Sequence, residues 1–210
     1  MISMNRVEAQ HNIVWSQGLV GRDDRSKLLG HSGATVWLTG LPASGKSTLG
    51  MELERRLLGQ GLLAFRVDGD NLRYGLNHGL GFSADDRSEN VRRAGEACVL
   101  LADAGVVAIA CLVSPYVRDR DAVRGRHAEA KLPFLEVLVD VPVEVAAARD
   151  PKGHYAKARA GEMRGFTGVD DPYERPARPE LTLRTDQMTP AACVDALATM
   201  VLAAVRAGTP

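Results

Sequence analysis

Ala34–Thr39 (ATVWLT) followed by Gly40-Leu-Pro-Ala-Ser-Gly45-Lys46-Ser47 is the stretch on which the fold turns. An apolar run of strand length enters a glycine-punctuated turn of the form GxxxxGK[ST]. Ser47–Gln60 then carries a helical pattern that Gly61 ends. A turn placed between strand and helix in this way curls its backbone so that several N–H groups point inward. The helix N-terminus adds its positive end. The result is a cradle for the phosphates of a nucleoside triphosphate. Lys46 has the reach for the β- and γ-phosphates, and the Ser47 hydroxyl is a ligand for Mg²⁺. Thr48 falls inside the helix.

Working outward, strands and helices alternate. Leu62–Asp68 reads as a second strand, and Ser83-x-x-Asp86 as the start of a helix running to Ala104, with Gly105 just beyond it. Val106–Val113 is a third strand, Val117–Ala130 a charged helix and Phe134–Asp140 a fourth strand. Pro142 and Thr189-Pro190 open two more helices, the last reaching about Arg206. This rhythm predicts a mainly parallel sheet with helices on both faces, an α/β/α arrangement. Residues 1–33 are polar apart from Ile13, Val14 and Trp15, and read as an N-terminal extension packed on the domain or on a partner; the domain itself spans 34–208. Asp150–Glu180, with four glycines and four prolines, breaks the alternation. A connection that long is a lid, a binding loop or a solvated surface loop, and its basic and aromatic residues favour a mobile lid.

Composition narrows the function classes. Of 210 residues, 26 are Lys or Arg and 26 Asp or Glu, so the chain has no basic excess for nucleic acid and must build any anion site locally. The three cysteines, Cys98, Cys111 and Cys193, lack metal-site or disulfide spacing and read as buried core thiols. The apolar run from Val106 to Val113 is too short to cross a bilayer, and the N-terminus lacks a signal-peptide core. A cytoplasmic protein is the expectation, with no membrane and no nucleic-acid partner.

Asp68-Gly69-Asp70 ends the second strand at the carboxyl edge where open α/β sheets bind ligands. It is either a solvated Asp-Gly turn or a working pair. In the second reading Asp68 serves the Mg²⁺ shell, and Asp70 orients an attacking hydroxyl and accepts its proton. Arg73 follows three residues later, and Arg87 and Asn90 share one helix face. Arginine grips phosphate or sulfate bidentately. Phe82 either staples the helix start or stacks on a purine, while Arg92 and Arg93 read as solvated surface. A guanine-reading NKxD element and a transporter-type LSGGQ element are both missing from the sequence. A small-molecule kinase therefore leads over a switch-type nucleotide-binding module.

DGDNLRYGLN (68–77), LGFSADDRSENVRR (80–93), LVSPY (112–116), DPKGHYAKARAGEMRGFTGVDDPYE (150–174) and HNIVW (11–15) together resemble the adenylyl-sulfate kinases, P-loop kinases with a three-layer α/β/α fold. The resemblance implies transfer of the γ-phosphate of Mg-ATP to the 3′-hydroxyl of adenylyl sulfate, by a homodimer. It implies that Gly40, Leu41, Pro42, Ala43, Ser44, Gly45, Lys46, Ser47 and Thr48 bind ATP. Asp68 and Asp70 would serve the metal and the 3′-hydroxyl. Arg73, Arg87 and Asn90 would hold the phosphosulfate and ribose. Phe82 and Phe166 would sandwich the adenine, with Leu112, Val113 and Ser114 lining the pocket and Lys152 reaching in from the lid. In some members the serine matching Ser114 has been discussed as a phospho-acceptor, which adds it to the catalytic candidates; direct transfer is preferred, because the phosphate loop and Asp70 already supply an in-line displacement. Pro42, Ala43, His78 and Gly79 depart from the residues most frequent in the family, which bears on affinity and leaves the reaction class alone.

Overall fold

β1 (Ala34–Thr39) is buried at every position, as a central parallel strand covered on both faces must be. In the computed structural model, which describes residues 16, 18–150 and 152–206, β1 lies in the middle of a five-stranded sheet of order β2-β3-β1-β4-β5. The other strands are β2 (Ala64–Asp68), β3 (Val107–Cys111), β4 (Phe134–Asp140) and β5 (Leu181–Arg184), and every pairing is parallel. Alternate residues of β1 face opposite layers. Ala34, Val36 and Leu38 pack with Leu49, Leu53 and Leu57 of α2 (Lys46–Gly59) and with Val194, Leu197, Val201 and Val205 of α8 (Pro190–Arg206). Trp37 faces the other way, onto Val91, Ala94 and Cys98 of α4 (Ala84–Asp103) and Val123 of α5 (Val117–Glu129). All three cysteines are free and buried.

The chain leaves β1 for β2 on one side, and after β3 crosses to β4 on the other. The carboxyl end of β1 is therefore a topological switch point, where a crevice opens. The connections at that edge carry the candidate site. They include two short helices, α3 (Gly69–Tyr74) after β2 and α6 (Val143–Arg149) after β4.

Ser83 caps α4 through a bond from Asp86 N at 3.2 Å, and Thr189 caps α8 through Ala192 N at 3.2 Å, as their sequence patterns predict. Pro142 sits one residue earlier than expected, at the N-cap of α6. Two regions differ more. The 150–180 segment contains a helix, α7 (His154–Arg159), and a core of its own in which Tyr155, Ala158 and Phe166 are buried with Val141 and Ala146. The N-terminal region contains α1 (Arg22–Leu29), fastened by Arg22 to Asp103 and to the Ala130 and Lys131 carbonyls; Ser32 adds a bond to the Val205 carbonyl. The expected cluster Ile13, Val14 and Trp15 lies outside the described residues. No helix among the described residues is long and apolar enough to cross a membrane.

Candidate active site

The turn from β1 into α2 is shaped by two glycines. Gly40, at φ 154°, comes so close to β4 that a Cβ there would stand 2.4 Å from the Val139 carbonyl oxygen. Gly45, at φ 105°, is the N-cap of α2. Between them Ala43 adopts φ 60°, a left-handed conformation that costs a residue with a Cβ about 1 kcal/mol. The Lys46 ammonium folds back over this turn. It donates to the carbonyls of Gly40 and Leu41 at 2.8 and 2.7 Å, and burial pulls its pKa down to about 8. A triphosphate in the cradle would exchange those dipoles for full negative charges.

Beside the turn, the Ser47 hydroxyl donates to Asp68 Oδ2 at 2.9 Å, and Arg66 Nη1 meets the same oxygen. Asp68 Oδ1 accepts from Asp70 N at 3.0 Å, which caps α3 and projects Asp70 beyond the strand end. A hydroxyl and a carboxylate side by side under a phosphate cradle are hard oxygen donors. They suit a cation that takes its remaining ligands from phosphates and water, as Mg²⁺ does.

Past Asp70 the site becomes cationic. Arg73 Nη1 donates to the Leu80 and Gly81 carbonyls, both at 2.9 Å, and its guanidinium lies 4.3 Å from the centre of the exposed Phe82 ring. Arg87, in the first turn of α4, bonds the Phe82 carbonyl, the Thr167 hydroxyl and the Gly165 carbonyl, so it spans from α4 to the 150–180 segment. Burial is the main cause that lowers the Arg73 pKa, and neighbouring Arg87 adds to it. Phe82 stands at the start of α4. It precedes the cap residue with Arg87 at 5.9 Å, yet its ring stays mostly open to the cleft. Arg92 and Arg93 bond Glu89 on the outer side of α4.

One cavity of about 710 Å³ joins these groups. Its lining includes Pro42 to Thr48, Asp68, Asp70, Arg73, Phe82, Arg87, Asn90, Leu112, Val113, Ser114, Lys152 and Phe166. Gly40 and Leu41 form the start of the turn behind it. Lys152 Nζ is bonded to Asp70 Oδ2, closing the cleft between α3 and the 150–180 segment. Phe166 is buried edge-on against Tyr155, with ring centres 4.9 Å apart.

Ser114 lines the cavity but its hydroxyl is engaged inward. It accepts from Trp37 Nε1 at 3.1 Å and donates to Thr39 Oγ1 at 3.0 Å, which in turn donates to the Val113 carbonyl. Its backbone, at φ 41°, is held by Arg120 Nη1 on the Ser114 carbonyl at 2.6 Å.

Sequence reasoning passed over the far side of the cleft. Arg149, Thr185, Met188 and Cys193 line the cavity on the side of the phosphate loop away from Asp70. Arg149 bonds the Thr185 hydroxyl and carbonyl, and Thr185 Oγ1 donates to the Ser44 carbonyl at 2.9 Å. These partners are 36 and 141 residues apart in sequence, so no local spacing marks them.

Comparison with known proteins agrees with this geometry. Residues 32–184 match the family model described as adenylylsulphate kinase. An adenylyl-sulfate kinase of Saccharomyces bayanus is 54% identical over 182 residues, covering 87% of this chain and 90% of that protein. One of Clostridium acetobutylicum is 48% identical over 184 residues, covering 88% and 90%. Among solved structures, the Mycobacterium tuberculosis APS kinase CysC in complex with AMPPNP and APS superposes with a TM-score of 0.75 at 48% identity, over 82% of this chain and 96% of that one. A P-loop, an acidic strand end and an arginine-lined pocket thus occur together in a chain whose sequence is alike over most of its length. The chain belongs to the adenylylsulphate kinase family.

Proposed function

We infer that this protein transfers the γ-phosphate of ATP to the 3′-hydroxyl of adenylyl sulfate, giving ADP and 3′-phosphoadenylyl sulfate. The observation that carries the reading is the position of Asp70. It stands in one continuous cavity between the phosphate loop and the Arg73–Phe82–Arg87 patch, where an acceptor hydroxyl and a terminal phosphate would meet. The homologues' shared name and the M. tuberculosis complex with AMPPNP and APS support the two substrates.

In this reading the turn from Gly40 to Thr48 binds the triphosphate, and Lys46 leaves its own carbonyls for the β- and γ-phosphates. Ser47 and Asp68 would hold Mg²⁺, which would neutralise the charge that develops during transfer. Asp70 orients the hydroxyl and takes its proton. Arg73, Arg87 and Asn90 hold the anionic part of the acceptor, and Phe82 and Phe166 flank its base. Lys152 moves from Asp70 to the acceptor. Transfer is direct, with Ser114 shaping the pocket through its backbone.

The family resemblance also carries a homodimer into this reading, and the sequence's want of a signal-peptide core and of a membrane-length apolar run carries a cytoplasmic setting. The domain is taken as 34–208 with a lid at about 150–180, and α1 packs against it as part of the extension. The test is ADP release with Mg-ATP. Release that rises on adding adenylyl sulfate, and not shikimate or a nucleoside monophosphate, is the expected result; release indifferent to adenylyl sulfate overturns the reading.

A further inference from the structure

Asn77 has no solvent exposure; it ends the DGDNLRYGLN stretch and lies in the turn between α3 and α4. Its backbone is pinned on both sides: its N–H donates to the Leu72 carbonyl at 2.8 Å, and its carbonyl accepts from Leu80 N at 3.2 Å. Its side chain makes one bond, Nδ2 to Asn90 Oδ1 at 2.8 Å, entirely within the interior. Among the described residues, Asn77 Oδ1 is left without a partner.

That bond decides which end of the Asn90 amide the cleft sees. Asn90 is 8% exposed and lines the cavity. With its oxygen occupied by Asn77, its NH₂ is the end left for a ligand, and among the described residues that NH₂ makes no hydrogen bond. Turning the Asn90 amide over would set NH₂ against NH₂. Turning both amides would leave the Asn77 NH₂, with two donors, unpaired in the interior in place of one oxygen. Buried orphan N–H groups are rarer than under-satisfied carbonyl oxygens, so the observed arrangement is the preferred one.

We propose that Asn77 is a positioning residue for the acceptor substrate: it locks Asn90 as a hydrogen-bond donor, so that the pocket reads an acceptor oxygen of the ribose or phosphosulfate. This rests on the function inferred above and extends it to a residue that touches no substrate. The unpaired Asn77 oxygen is the cost of the lock, since a residue chosen for burial alone would be apolar here.

The test is a double-mutant cycle on the purified protein, using N77A, N90A and N77A/N90A, with KM for adenylyl sulfate and for ATP and the melting temperature of each. N77A should raise the adenylyl-sulfate KM roughly tenfold, the equivalent of one lost hydrogen bond of ordinary strength, with the ATP KM within about twofold. In the N90A background N77A should add nothing further to the adenylyl-sulfate KM. Equal shifts in both KM values, or an effect undiminished by N90A, overturn the proposal. Should N77A be too unstable to assay, N90D against N90A decides. N90D keeps the bond from Asn77 but replaces the donor facing the cleft with an oxygen, so it should bind adenylyl sulfate more weakly than N90A; binding as tight as the wild type overturns the lock. A wild-type enzyme without adenylyl-sulfate-dependent ADP release would sink the function itself, and the proposal with it. A responsive wild type with an additive cycle sinks the proposal alone.

Discussion

Lys152 Nζ is hydrogen-bonded to Asp70 Oδ2, which places a cation from the 150–180 segment on the carboxylate assigned to the acceptor hydroxyl. Both side chains are more than half exposed, so the pair contributes at most about 1 kcal/mol to stability and is screened by salt. A contact that weak breaks easily when an anionic acceptor competes for the lysine.

Lys152→Ala should therefore leave the melting temperature nearly unchanged and raise the adenylyl-sulfate KM. Thermal denaturation and initial-rate kinetics check the two halves separately. A large loss of stability would mean that the contact holds the segment in place.

Asp70→Asn should lower kcat by roughly 10²–10⁴-fold, the usual range for loss of a general base. ATP affinity, measured by calorimetry, should stay close to that of the wild type because Asp70 lies past the Ser47–Asp68 pair. Near-normal turnover would reassign Asp70 to holding Lys152 alone.

Ser114→Ala tests direct transfer. Removing the hydroxyl leaves the Trp37 indole N–H and Thr39 without their shared partner, which should cost about 1–3 kcal/mol of stability. Turnover should remain within about one order of magnitude, far from the loss at Asp70. Abolished turnover in a folded protein would restore Ser114 as a phospho-acceptor.

Lys46 supplies the pH dependence. Burial lowers its pKa to about 8 in the free protein, and triphosphate oxygens in the cradle would raise it again. Binding then takes up a proton at pH values above about 8, so ATP affinity is full below that pH and falls as pH rises through it. Calorimetry at pH 8.5 to 9 in buffers of different ionisation enthalpy should register proton uptake; uptake of no protons there would contradict the lowered value.

Arg120 has a structural counterpart to these roles. It is 1% exposed and bonds Glu136 at 2.7 Å, the Ser114 carbonyl at 2.6 Å and the Glu174 carbonyl at 2.7 Å. Arg120→Ala leaves the buried Glu136 carboxylate only its longer contact to Arg124, at 3.2 Å, and should cost about 3 kcal/mol, measurable by denaturant unfolding.

The phosphate loop and the Asp68–Asp70 strand end were legible because their chemistry depends on residues a few positions apart. The same holds for the caps at Ser83 and Thr189. β5 went unrecognised because it has four residues, of which Leu183 alone is buried, too few to show a period. α7 was hidden for a similar reason: it spans six residues within a polar, glycine-rich stretch. The Thr185–Ser44 and Asn77–Asn90 contacts leave no trace in spacing, since each depends on packing that brings separate elements together.

The Tyr155 hydroxyl donates to the Pro42 carbonyl at 3.1 Å, and Gly168 sits against Leu41. On the function inferred above, the roof over the acceptor pocket would stand on the same few peptide units that wrap the donor's phosphates. In the proposed reading, a reshaping of those units by arriving nucleotide would reach the roof's footing first, and would tie entry of the second substrate to what the first site contains.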